Sequence, residues 1–163
     1  MSIRMDGQVA VVTGAGQGLG RAHALALAQR GASVVVNDLG GPDGISPHAD
    51  AVVAEIREAG GTAIANGANV ADWDQVQAMI QQAMDAWGRI DILVNNAGIL
   101  RDKSFLKMSM EEFRLVIDVH LIGSANCTKA VWEIMREAAY GRIVFTSSSS
   151  GLYFRASSRR SVS

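Results

Sequence analysis

Five short apolar runs punctuate the chain, and they constrain its fold more than any other feature. QVAVVT (8–13), SVVVND (33–38), IDILVN (90–95) and RIVFTS (142–147) are rich in Val and Ile, and TAIANG (62–67) is a weaker fifth. None alternates strictly between apolar and polar, as a strand with one wet face does. Continuous runs of this length suit strands covered on both faces. Between them the period changes. Over 72–87, Val76, Met79, Ile80, Ala83, Met84 and Trp87 recur at helical spacing, with Asp72 and Gln75 as a capping-box start and Gly88 as the stop. Ser109 with Glu112 opens another helix, with Phe113, Val116, Ile117, His120 and Leu121 on one stripe. A helix over 18–30 ends at Gly31 in the same way. The order β-α-β-α-β-α-β-α-β predicts an α/β fold, a doubly wound parallel sheet of about five strands with flanking helices.

Composition removes several alternatives. The 163 residues are 48% apolar and 19% charged, which suits one globular domain with a real core. A net charge of −1 gives no electrostatic case for a nucleic-acid or anionic-membrane partner. The apolar runs are far too short to span a bilayer, and MSIRMDGQ leads almost directly into the first strand, so a cytoplasmic protein without a signal peptide is expected. The single cysteine, Cys127, has no partner for an internal disulfide and reads as a small buried residue on a helix. His23, His48 and His120 lack metal-ligand spacing, so no metal is expected.

The first strand ends in TGAGQGLG (13–20), immediately before a helix. Gly14, Gly18 and Gly20 form a T-G-x-x-x-G-x-G pattern, in which glycine lets the chain turn and brings backbone N–H groups near a pyrophosphate at a helix N-terminus. An acid, Asp38, closes the second strand. A carboxylate there accepts hydrogen bonds from the adenosine ribose hydroxyls and repels a 2′-phosphate. The residues that follow are Leu39, Gly40 and Gly41, with no base among them. The pair predicts dinucleotide binding of the Rossmann type, with NAD favoured over NADP.

These motifs resemble those of the short-chain dehydrogenase/reductase family over residues 6 to about 153. TGAGQGLG is similar to its cofactor loop, NNAG (95–98) to its fourth-strand signature and Asn69-Val70 to its adenine-contacting stretch. The resemblance implies cofactor contacts at Gly14, Gln17, Gly18, Leu19, Gly20, Asp38, Asn69, Val70, Asn96, Ala97, Gly98 and Val119. It also implies a homo-oligomer and a small-molecule substrate. VVVNDLGG (34–41), NNAGILRDKSF (95–105) and DVHLIGS (118–124) are most similar to the branch containing the (3R)-hydroxyacyl-CoA dehydrogenase domain of peroxisomal multifunctional enzymes type 2 and bacterial relatives. That implies hydride transfer between NAD and a secondary alcohol or ketone, such as a 3-hydroxyacyl-CoA.

Carbinol oxidation needs a base, a group that holds the oxygen, and a hydride acceptor. Ser148, three residues before Gly151, resembles the family's active-site serine, though one hydroxyl among Ser147 to Ser150 could simply cap the turn after the strand. His120 stands where the family's relay asparagine is usual, and a core histidine on a helical stripe is the alternative. The base and its activator, Tyr-x-x-x-Lys in the family, have no counterpart. Thirteen residues past Ser148 stands Ser161, and four residues beyond Tyr140 and Tyr153 stand Val144 and Ser157. The expectation is therefore an impaired catalyst, or a non-catalytic NAD-binding module, whose fifth strand RIVFTS is left as an apolar edge. The last ten residues, FRASSRRSVS, hold three Arg and four Ser and depart from the family pattern. The domain is read as 1–153, followed by a disordered tail over 154–163 that a frameshifted or truncated product would carry. A genuine disordered terminus and a basic partner-binding run are the alternatives.

Overall fold

The computed structural model describes residues 3–148. All five runs are strands of one sheet: β1 (Val9–Val12), β2 (Ser33–Asn37), β3 (Thr62–Asn66), β4 (Ile92–Asn95) and β5 (Arg142–Phe145). Each is one to two residues shorter than its apolar run, because the outer residues turn into the loops at the strand ends. The order is β3-β2-β1-β4-β5, with every pair parallel. Helices α1 (Gly18–Ala28), α2 (Pro47–Glu58), α3 (Trp73–Trp87), α4 (Met110–Ile117) and α5 (Gly123–Glu137) join them. The expected doubly wound sheet is what forms.

The continuous apolar runs have a direct physical reading. Ala10, Val12, Val34, Val36 and Val94 point to one face and pack against Ala24 and Ala28 of α1 and Val52, Val53 and Ile56 of α2. Val9, Val11, Val35 and Leu93 point to the other, against Val76, Met79 and Ile80 of α3 and Val131 and Met135 of α5. Successive residues of one strand thus enter different cores, and neither set can be polar.

Capping decides where the helices begin. Ser109 and Glu112 form the expected reciprocal box: the Ser109 hydroxyl accepts from the Glu112 N–H at 3.2 Å, and the Glu112 carboxylate accepts from the Ser109 N–H at 3.0 Å. At α3 the box is only half formed. The Asp72 carboxylate accepts from the Asp74 and Gln75 N–H groups, but the Gln75 side chain turns away to accept from the Asn69 N–H and to donate to the Asp72 carboxylate. The Asp72 N–H is already taken by the Asn69 carbonyl, which removes the box's second partner. Gly88 ends α3 in the left-handed conformation, as expected.

The stripe on α4 departs from its expected burial. Phe113, Ile117 and Leu121 are exposed, and no α4 residue is buried among the described residues. Periodicity fixed the face of this helix, and the Phe105 ring meets Phe113 edge-on at 6.4 Å without burying it. The α-helix also yields at Asp118–Ile122 to a single widened π turn, with the Ser124 hydroxyl donating to the His120 carbonyl at 2.6 Å.

Two buried groups give testable consequences. Asp91, 1% exposed, accepts from the Val9 N–H at 2.8 Å and from the Arg89 guanidinium through both of its oxygens, tying the start of β1 to the start of β4. Asp91→Ala leaves the Val9 N–H unpaired and is expected to lower stability by about 2–3 kcal/mol, read as the urea midpoint. Cys127 is fully buried in the α5 core, and that burial pushes its thiol up to about 12 from an ordinary 9.0. Because the folded value is the higher, the thiol's contribution is whole below pH 9 and lost as pH rises towards 12. Across that window the wild type is expected to lose about 1.4 kcal/mol per pH unit more than Cys127→Ala. Parallel denaturant titrations of the two proteins check it, and equal slopes would contradict it.

Candidate cofactor cleft and active site

Strand order reverses at β1, which has β2 on one side and β4 on the other. The loops leaving β1 and β4 therefore diverge and open a crevice beyond the carboxyl ends of the strands. Into this crevice the sequence delivers the glycine loop and NNAG.

Three glycines shape the loop for different reasons. Gly14 and Gly18 take positive φ angles of 60° and 55°. Gly20 is required by close approach, since a Cβ there would lie 2.1 Å from the Gly14 carbonyl oxygen and 2.5 Å from the Asn96 side-chain nitrogen. The first turn of α1 is thus seated directly on the loop. That turn carries no acidic residue, and Gln17 before it makes no side-chain cap, so its N–H groups remain available to an anion. Leu19 is exposed beside them.

Asp38 is held in place by the same loop. Its Oδ2 accepts from the Gly16 N–H at 2.7 Å, and the residue lines the cleft described below. A Cβ on Gly16 would fall 2.3 Å from that oxygen and 2.6 Å from the His48 Cβ. Gly16 is thus as constrained as its neighbours, although the motif treats it as variable. The Gln17 amide reaches His48 Nδ1 at 3.2 Å, bringing the start of α2 to the same corner. Sequence reading missed Gly16 and His48. The only signal was a fourth glycine in TGAGQGLG.

Thr13 and Asn96 lock the two diverging loops together. The Thr13 hydroxyl accepts from the Asn96 and Ala97 N–H groups, and the Asn96 amide donates to the Thr13 and Gly14 carbonyls, each at 3.0–3.1 Å. Thr146, just after β5, donates to Asn96 Oδ1. The Asn96 side chain is therefore a brace across the ends of β1, β4 and β5, with its polar atoms already engaged.

Gly14, Asp38, Asn69, Val70, Ala97, Gly98 and Val119 line one cleft of about 130 Å³, together with Asn37 and Ile99. Its far wall is anchored twice. Buried Asn37 donates to Asn66 and to the Ala68 carbonyl, and Asn126 of α5 donates to the Val70 carbonyl. Gly123 permits the second contact, since a Cβ there would lie 2.6 Å from a Val70 methyl.

His120 is exposed, so the core-histidine alternative does not describe it. Its Nε2 lies 2.9 Å from the Ile99 carbonyl and 3.0 Å from the Ile99 N–H, and Gly98 has no side chain to keep the ring away. It ties the π turn to the loop after β4. The charged loop that follows is also tied down: Lys103 pairs with Glu112 at 2.5 Å, and that ammonium, ahead of the Ser109 N–H, holds the Glu112 carboxyl below the usual range. His120 and Ser147 line a cavity of about 780 Å³ with Ser124, Trp132 and Phe145. Ser148 follows three residues after β5 and is exposed. Gly151, Tyr153 and the tail over 154–163 lie outside the described residues. Among the described residues, no three potential metal ligands converge.

A glycine loop on a helix N-terminus, an anchored acid on the neighbouring strand and a strand-end brace are the parts of a nucleotide crevice. The comparisons agree. Residues 8–159 match the family model for short chain dehydrogenase. This chain belongs to that family. It is 57% identical over 155 residues to the peroxisomal multifunctional enzyme type 2 of Drosophila melanogaster, which takes in 93% of this chain and 25% of that one. It is 49% identical over 148 residues to the 3-oxoacyl-[acyl-carrier-protein] reductase of Synechocystis, covering 91% of this chain and 58% of the relative. Among solved structures, a short chain dehydrogenase from Mycobacterium avium superimposes with a TM-score of 0.83 at 49% identity, over 93% of this chain and 55% of that one. A 7α-hydroxysteroid dehydrogenase complexed with NADH and 7-oxo glycochenodeoxycholic acid gives 0.86 at 33% identity, over 94% and 58%. The chain therefore spans about a quarter of the fly enzyme and little more than half of the solved dehydrogenases. No described helix is long and apolar enough to cross a membrane. The fly and mouse relatives are named as peroxisomal, so a cytoplasmic placement is not what their names carry.

Proposed function

We propose that this short-chain dehydrogenase chain binds NAD in preference to NADP and is the cofactor-binding part of an oxidoreductase acting on a secondary alcohol or ketone. The observation that carries the reading is the Asp38 carboxylate, fixed on the Gly16 N–H at the mouth of the glycine loop with Leu39, Gly40 and Gly41 after it. Asp38 Oδ1 would accept from a ribose hydroxyl, and the same charge opposes a 2′-phosphate. The first N–H groups of α1 would take the pyrophosphate, while Asn69 and Val70 face the adenine and Gly98 and Val119 continue the cleft towards the reacting end. Bound NAD would supply the hydride acceptor. Ser148 would hold the substrate oxygen. His120 would position the loop after β4 through Ile99. The substrate reading, a 3-hydroxyacyl-CoA, is supported by the identity to the multifunctional enzymes.

Among the described residues no tyrosine faces the crevice to take the carbinol proton. Tyr140 comes just before β5, accepts from Gln8 at 3.1 Å and carries Arg142 over its ring, so it belongs to the amino ends of the strands, opposite the crevice. Lys103, Lys107 and Lys129 all precede the site in sequence, and no Tyr-x-x-x-Lys follows Ser148. This favours the second reading, a non-catalytic NAD-binding module, for the chain acting alone. A hydride-transfer assay with NAD and a 3-hydroxyacyl-CoA is expected to show turnover about 10²–10⁴-fold or more below a related full-length enzyme. Turnover equal to that enzyme's would overturn this part of the reading.

A further inference from the structure

We infer that His48 sets cofactor specificity at the adenosine end of the cleft: while neutral it lets Asp38 exclude the 2′-phosphate of NADP, and once protonated it supplies the cation that holds that phosphate. Cofactor preference then depends on pH. The inference deepens the proposed NAD reading and rests on it in one respect, that Asp38 meets the adenosine ribose.

Geometry brings the two side chains to one place. The Asp38 Oδ2 and the His48 Cβ lie 2.3 Å and 2.6 Å from the single point that a Cβ on Gly16 would occupy, so carboxylate and histidine meet over the bare backbone of the glycine loop. The Gly16 N–H fixes the carboxylate at 2.7 Å. The Gln17 amide nitrogen fixes the imidazole, 3.2 Å from Nδ1 and 3.4 Å from Nε2. Two nitrogens that flank one ring carbon cannot both be met at such distances in the plane of the ring. The amide therefore lies over the ring face, in line with neither lone pair. No other hydrogen bond to the ring is made among the described residues. Both nitrogens keep their in-plane directions for a ligand.

Charge identifies what the ring would take. The charged groups on the elements meeting at this corner are Asp38 at the end of β2, Asp43 in the loop after it, Asp50 in the first turn of α2, and Arg21 with Glu55. Arg21 gives its guanidinium to both oxygens of Glu55, and Arg57 stands at the far end of α2 on the Ala63 carbonyl. Among the described residues the imidazole is thus the group at this corner that takes on positive charge as pH falls from about 8 to about 5. While it is neutral, a 2′-phosphate beside Asp38 meets an unopposed carboxylate. The protonated ring offsets that carboxylate and offers the phosphate a charge-assisted hydrogen bond. NAD, with a hydroxyl in the same place, profits far less from the same proton, so the ratio of the two affinities is the quantity that moves.

The full 163-residue chain would be titrated calorimetrically with NAD and with NADP. Between about pH 8.5 and about pH 5.5 the NAD-to-NADP affinity ratio is expected to fall at least about tenfold, roughly the worth of one charge-assisted hydrogen bond. The 2′-phosphate itself takes a proton near about pH 6, so the deciding comparison is with His48→Gln, whose ratio is expected to fall at least about fivefold less. His48→Lys, cationic throughout, is expected to show the low ratio at the higher pH as well. His23→Gln removes an exposed histidine that lines a different groove, with Leu27 and Tyr140, and is expected to follow the wild type. Equal pH dependence in the wild type and His48→Gln, with NAD preferred in both, would overturn this inference and leave the cofactor reading standing. So would a His48→Lys ratio no lower than the wild type's at the higher pH. Binding of neither dinucleotide would overturn both readings.

Discussion

Replacing Gly20 with alanine is expected to weaken NAD binding by at least about 100-fold. The Cβ would sit 2.1 Å from the Gly14 carbonyl oxygen, a backbone atom that no rotamer can move, and 2.5 Å from the Asn96 amide that braces β1 to β4. Relief requires the first turn of α1 to lift off the loop, which withdraws the N–H groups proposed to face the pyrophosphate. Overpacking of this kind costs about 1–3 kcal/mol in stability as well. Gly18→Ala is the informative control. Its φ of 55° strains a side chain, yet no other atom lies within 4 Å of its Cβ, so its expected cost is only the left-handed penalty of about 1–2 kcal/mol. Calorimetric titration of both variants tests the order. Equal losses, or a larger loss at Gly18, would show that close approach is not what Gly20 provides.

Asp38→Ala is the second large effect, and its signature is selectivity. Hydrogen bonds to a charged group are worth about 1.5–3 kcal/mol, so NAD affinity is expected to fall roughly 10- to 150-fold. NADP affinity is expected to hold or rise, since the variant lacks the charge that opposes a 2′-phosphate. The Gly16 N–H also loses its acceptor, which loosens the loop for both cofactors and makes the ratio of the two affinities the cleaner readout. A ratio unchanged from wild type would remove Asp38 from the recognition of the ribose.

The parts of this fold that were legible in the sequence are those set by local rules. Val9 to Val12 read as a doubly buried strand because each residue enters one of two cores, and Gly88 read as a helix stop because its left-handed turn is a one-residue matter. What was not legible is what depends on distant partners. The Gln75 side chain could be assigned to a capping box by spacing alone, but the Asn69 N–H it accepts from, and the carbonyl that pre-empts the Asp72 N–H, belong to the loop before α3. Gly16 looked variable because its two constraints, Asp38 and His48, are 22 and 32 residues away. Asn96 was assigned to the cofactor by its motif, while its side chain spans more than 80 residues of sequence to hold Thr13 and Gly14. On α4 the spacing gave the orientation of the apolar stripe, and burial did not follow, because burial is a property of whatever lies opposite.

Titrating the full chain with NAD and NADP in parallel calorimetry tests the central claim most directly. Saturable 1:1 binding of NAD, with NADP at least about tenfold weaker and the preference lost in Asp38→Ala, is the expected result. Absence of saturable binding by either dinucleotide, or equal affinity for the two in the wild type, would contradict it.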